Sequence, residues 1–197
     1  KGQNIDKMKA VQEAGISEFG ESRVQEVRDK YDQLESVTWH MIGHLQRNKV
    51  KYLARRERCQ LIHSLDSLRL AKKIDDRGEK AERVMEALVQ VNVAKDENKY
   101  GFYPDEVEDF LQQIGELNYL QVKGLMTLAP YKEDPEEVRP YFRQLNEMFI
   151  ELQEKQLPGI KMEELSMGMT NDFEVAVEEG ATMVRIGRGI FGSREYQ

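Results

Sequence analysis

Residues 166–192 read SMGMTNDFEVAVEEGATMVRIGRGIFG. An apolar run over 165–167 ends in Gly168 and Thr170, a helix is expected over 172–179 with Gly180 as its stop, and a second apolar run over 183–186 ends in Gly187, Arg188 and Gly189. The unit is strand, helix, strand and glycine turn. Glycine turns of this kind leave successive backbone N–H groups bare, and with a helix N-terminus just beyond them they suit an anion such as phosphate. On spacing alone the same glycines equally serve a tight turn before a short last helix.

Working outward, the same alternation repeats through the chain. Periodic apolar residues predict helices over 5–14, 22–34, 48–56, 67–77, 104–117 and 135–156, the last capped by Asp134, opened by Pro135 and kinked at Pro140. Between and after them lie short apolar runs over 16–19, 37–42, 60–63, 87–93 and 120–128, which with 165–167 and 183–186 read as strands. Seven strands, each separated from the next by a helix, are the signature of a parallel sheet covered by helices. The fold class expected is α/β, a (β/α)8 TIM barrel with its first strand upstream of residue 1, so that Lys1 stands at the end of that strand. No linker or low-complexity stretch interrupts residues 1–197, so a single domain is expected.

The formal net charge is -7, which argues against nucleic-acid binding, because phosphate neutralisation needs a positive surface. The basic run over 48–58, NKVKYLARRER, is read as the solvated face of a helix whose apolar residues are Val50, Leu53 and Ala54. Cys59 is the one cysteine, so no intrachain disulfide can form and a reducing compartment is expected. No apolar run approaches the roughly 20 residues of a membrane span. These features point to a soluble, cytoplasmic protein, and a monomer is the expectation.

In a (β/α)8 barrel the reactive groups gather at the C-terminal ends of the strands. That rule selects Lys1, Glu21 and Ser22, His40 with Gly43 and His44, His63 and Ser64, Asn92, Met126 and Thr127, residues 166–168 and residues 185–187. No metal site is expected, since only His40 and His44 lie close in sequence and they flank a strand end. A Gly-x-Ser-x-Gly elbow is absent, which argues against a serine hydrolase. What remains is a phosphate seat, an arginine two residues before it and a lysine amine, the set that holds pyridoxal 5'-phosphate as a Schiff base. Composition alone does not choose this ligand over a phosphosugar.

The segments EFGESRVQE (18–26), WHMIGHLQRNK (39–49), IHSLDSLRLA (62–71), VNVAKDENKYG (91–101), GLMTLAP (124–130) and LSMGMTNDFEVAVEEGATMVRIG (165–187) resemble the pyridoxal-phosphate homeostasis protein family from end to end. The resemblance implies a barrel of the alanine-racemase type that holds the cofactor through a lysine at the end of its first strand, which falls on Lys1 here. It further implies that Arg185 faces the pyridine nitrogen and that Ser166, Met167, Gly187 and Arg188 bind the phosphate through backbone and hydroxyl groups. Ser22 and Met126 complete the expected cofactor-binding set. Two positions depart from the family pattern: Ser22 stands where Asn is usual, and Arg188 where many members have Thr or Ser.

The function implied is carriage or buffering of pyridoxal phosphate in vitamin B6 homeostasis without turnover, the recipients being enzymes that lack the cofactor. The alternative is an amino-acid racemase or related isomerase. Racemisation needs an acid or base on each face of the substrate, and a lysine at one strand end supplies only one. His40 and His44 are expected to line the pocket without a catalytic role.

Overall fold

The computed structural model describes residues 2–192 of the 197. Its strands are β1 (Glu18–Glu21), β2 (Thr38–Met41), β3 (Cys59–Leu65), β4 (Met85–Val91), β5 (Leu120–Thr127), β6 (Ile160–Met169) and β7 (Met183–Arg185). The helices are α1 (Ile5–Glu13), α2 (Val24–Lys30), α3 (Val50–Ala54), α4 (Leu68–Glu79), α5 (Val107–Ile114), α6 (Arg139–Lys155), α7 (Phe173–Glu178) and α8 (Arg188–Phe191). All seven strands pair in parallel and in chain order. Among the described residues β1 and β7 are the two edges, yet residues of both line one cavity. The sheet therefore curls almost closed, as a barrel does.

Burial on both faces explains why the strands read as continuous apolar runs rather than alternating ones. Successive side chains of a strand point to opposite faces, and the two faces form two separate cores. The larger lies between sheet and helices and contains Trp39, Ile62, Leu70, Ile74, Phe142 and Leu145. Trp39 is fully buried on β2, with its ring centroid 6.1 Å from that of Phe19. The smaller core lies inside the barrel, where Leu61, Leu88 and Met126 pack with Met183.

The helix signals hold where caps are chemical. Ser67 accepts a hydrogen bond from Leu70 N–H at the start of α4, and Asp134 accepts one from Glu136 N–H. Pro140 does not kink a long helix. A 3-10 turn over Pro135–Val138 precedes α6, so Pro140 falls in the first turn of α6, where no N–H is needed. The basic run also differs from expectation. Val50, Leu53 and Ala54 are buried as predicted, but Arg58 is no solvated residue: its guanidinium donates to the carbonyls of Tyr31 and Leu34 at 2.6 Å and covers the Tyr31 ring at 4.0 Å.

One glycine is fixed by close approach. Gly124 in β5 has φ +150, and a Cβ there would lie 1.8 Å from the Glu164 carbonyl oxygen of β6. No other residue fits that crossing. Arg139 of α6 donates to Glu178 and Glu179 at 2.5 and 2.7 Å and ties the C-terminal end of α7 to α6.

Candidate functional site

The polar side chains of the barrel interior converge on Arg185, the last residue of β7. Its Nη1 donates to Ser166 Oγ at 2.5 Å and its Nη2 to the Thr127 carbonyl at 2.7 Å. Thr127 is held in turn by its hydroxyl, which donates to the Val91 carbonyl at 2.7 Å. Ser166 Oγ also lies 3.0 Å from His63 Nδ1, and His63 Nε2 lies 2.9 Å from His40 Nδ1. Burial is the main cause of the electrostatics. It draws the Arg185 guanidinium down to about 10, against the pull of Asp172, so the group still carries its charge at neutral pH. It also holds His63 well below the usual histidine range, helped by His40 and by the Arg185 charge. His40 is lowered by burial as well, although Glu18 and Glu164 oppose the shift.

Above this group opens a cavity of about 480 Å3, bounded by Glu18, Glu21 and Ser22 on one side, by His40, His63 and Arg185 within, and by Thr170, Gly187 and Arg188 toward the rim. That volume lies inside the range of about 300–1,000 Å3 typical of small-molecule sites. Met8, Phe19, Ile186 and Phe191 make part of it apolar. Burial raises the Glu21 carboxyl against the hydrogen bond from Lys30, which donates at 2.5 Å.

The rim is a turn rather than a strand. The Asp172 carboxylate accepts from Met169 N–H at 2.6 Å and fixes the turn over 169–172, and Thr170 Oγ1 accepts from Gly189 N–H at 3.2 Å. Among the described residues the N–H groups of Gly187 and Arg188 have no intramolecular partner. A Cβ built at Gly187 would meet no protein atom within 4 Å, so the space beside it is open.

Of the residues expected from sequence, Ser22, Arg185, Gly187 and Arg188 are brought together around this cavity. Lys1 lies outside the described residues. Three others sit elsewhere. Met126 is fully buried in the inner apolar cluster, and Met167 is fully buried in the outer core. Ser166 is buried, and its hydroxyl is committed to Arg185 and His63 instead of facing the cavity. The cause is common to Ser166 and Met167: β6 runs on to Met169, paired with β7 from Ser166 onward, so 166–168 is strand and not turn. Gly168 looked like a strand end, but its φ of +90 belongs to a place where a Cβ would lie 2.6 Å from the Ala176 Cβ of α7.

His63, Thr127 and Thr170 are the residues whose roles the sequence reading missed. Thr170 opens a Thr-Asn-Asp triplet, a turn signal in its own right. His44 does not line the cavity. It bonds Asp66 at 2.9 Å and stacks on Tyr100 with centroids 3.9 Å apart.

Comparison with known proteins agrees with this architecture. The family model for the alanine racemase N-terminal domain matches residues 3–195. A pyridoxal phosphate homeostasis protein of Aquifex aeolicus is 48% identical over 184 residues, which is 92% of this chain and 79% of that protein. One from Synechocystis is 36% identical over 193 residues, covering 96% and 87%. The structure of PipY from Synechococcus elongatus with PLP bound superposes with a TM-score of 0.87 at 34% identity, over 98% of this chain and 89% of that one. Alanine racemase of Clostridium difficile shares the fold, with a TM-score of 0.76 at 16% identity over 98% of this chain and 48% of that one. With a family model matched along nearly its whole length and a relative identical at almost half the aligned positions, the chain belongs to the pyridoxal phosphate homeostasis proteins of the alanine racemase N-terminal domain family.

Proposed function

We propose that this chain binds pyridoxal 5'-phosphate in the cavity above Arg185 and holds it for delivery to enzymes that lack it, without turning over a substrate of its own. The observation that carries the reading is Arg185, a charged donor held in one orientation by Ser166 and Thr127 on the wall of a cavity of about 480 Å3. The open N–H groups of Gly187 and Arg188 suit a phosphate, and the Arg188 side chain adds a positive charge beside them. Lys1, which the family resemblance marks as the lysine at the end of the first strand, is the amine assigned to covalent attachment, and Gln3, two residues on, lines the same cavity. Ser22 flanks the ring in this reading. The cofactor bound in PipY and the name borne by the relatives support it.

When bound, the cofactor supplies an aldehyde that condenses with amines and a conjugated ring that accepts electrons. Arg185, charged at neutral pH, would donate to the ring nitrogen and would so withhold the proton that strengthens the ring as an electron sink. His40 and His63 line the cavity, but they are engaged with each other and with Ser166. Neither is presented as a second base. We further assign the chain to the cytoplasm as a monomer.

The test is to load the protein with the cofactor, reduce with borohydride, digest and weigh the peptides. The adduct is expected on the peptide that contains Lys1, and an adduct elsewhere would overturn the assignment. Carriage is tested by α-proton exchange of L-alanine in deuterated water. No turnover at an enzyme-like rate is expected, and exchange that vanishes in Lys1→Ala would establish an isomerase instead.

A further inference from the structure

The hydrogen bonds that run from Arg185 through Ser166 and His63 to His40 have two ends, and the ends fix their direction. A guanidinium carries donors only, so Ser166 Oγ accepts from Arg185 Nη1. The single hydroxyl proton then goes to the other partner of that oxygen, His63 Nδ1 at 3.0 Å. With Nδ1 accepting, His63 carries its proton on Nε2 and donates to His40 Nδ1 at 2.9 Å. His40 must therefore carry its proton on Nε2, and that atom lies 3.9 Å from the Glu18 carboxylate. The reverse direction fails at both ends. It sets a bare His40 lone pair toward a carboxylate and leaves the Ser166 proton with no acceptor among the described residues. Both rings are neutral in this arrangement, as their burial favours.

We propose that His63 is a positioning residue: through the Ser166 hydroxyl it holds the Arg185 guanidinium in the orientation that meets the ring nitrogen of the cofactor. The proposal rests on the reading of the cavity as a pyridoxal phosphate site. Its physical content is that a hydroxyl free to rotate can turn its proton toward Arg185, whereas a hydroxyl that donates to His63 always offers Arg185 a lone pair.

Two measurements test it. Nitrogen NMR of the histidines in the cofactor-free protein is expected to show bare Nδ1 and protonated Nε2 in both His40 and His63. A proton on His63 Nδ1 overturns the proposal whatever the cavity binds. The second measurement compares pyridoxal phosphate with its 1-deaza analogue, which has carbon in place of the ring nitrogen, in wild type, His63→Phe and His63→Asn. His63→Phe is expected to bind pyridoxal phosphate about tenfold more weakly. His63→Asn, which keeps an acceptor where Nδ1 stood, should recover most of the loss, and the deaza analogue should bind all three alike. Equal weakening of both ligands would mean a merely structural role and would sink the proposal. Should His63→Phe not fold, Ser166→Ala removes the bridging hydroxyl and is expected to show the same selective loss. A wild-type chain that binds neither ligand defeats the cofactor reading and the proposal with it, while the nitrogen spectra still report on the relay alone.

Discussion

Leu61, Leu88 and Met183 meet Met126 inside the barrel, and two residues further along the same three strands stand His63, Gln90 and Arg185. Side chains two apart on a strand share a face, so these are neighbouring levels of one interior. The apolar level is held by contact and has no preferred direction. Every group of the polar level has a directed partner: Gln90 donates to the Tyr100 carbonyl at 2.9 Å, His63 meets Ser166 and His40, and Arg185 meets Ser166 and Thr127. The difference teaches a division of labour. The floor fills space and contributes stability, while the level above it orients donors toward a ligand.

Met126→Ala is the sharpest attack on the floor. A fully buried methionine cut to alanine leaves a cavity, and a loss of about 3 kcal/mol is expected in urea unfolding. Pyridoxal phosphate affinity should change by less than about threefold, because the site stands on the level above. A large loss of affinity in the folded variant would show that the two levels are not separable.

Arg185→Met should give the opposite pattern. The side chain keeps its bulk, but Ser166 Oγ and the Thr127 carbonyl lose a charged donor and the ligand loses its partner. Titration is expected to show about a hundredfold weaker binding of pyridoxal phosphate, the scale of a charge-assisted hydrogen bond. Binding that survives unchanged would remove Arg185 from the site.

A smaller effect separates the levels by pH. An unfolded histidine titrates near 6.5, and His40 and His63 lie below that in the folded chain. The unfolded state then binds more protons, so the stability these two residues confer is complete above about pH 6.5 and declines as pH falls toward their folded values. Each histidine accounts for at most about 1.4 kcal/mol per pH unit in that window. Glu21 works with the opposite sign, since its raised pKa favours the protonated folded form. Urea unfolding of wild type against His63→Asn at several pH values cancels that contribution. The wild type is expected to show the steeper loss on acidification, and equal slopes would mean that His63 is not depressed.

The strand and helix alternation was legible because burial on both faces writes each strand as an apolar run between turn residues. Arg185, Gly187 and Arg188 were legible for a related reason: a charge and two open N–H groups at the end of such a run have few places to go. The inner residues were harder. Whether Met126 packs or lines a cavity depends on which face it takes, and that depends on register. Gln90, Met126 and Ser166 are backbone register partners across β4, β5 and β6, which no single strand reveals. Ser166 and Met167 were misread through Gly168, a glycine required by the helix packed on it and not by the end of its strand. His63 was legible only as a strand-end residue, and its role was not, because its partners come from β2 and β6.

Trp39 is the single tryptophan of the chain, fully buried on the helix side of β2, and the next residue, His40, lines the cavity on the other side. One sheet thickness therefore separates the only strong indole fluorophore from the place where a violet-absorbing ligand would lie. Its emission colour reports exposure to water and thus unfolding, while its intensity reports energy transfer to a bound chromophore and thus occupancy. The fold carries its own two-channel optical gauge, with no dye to attach and no residue to replace.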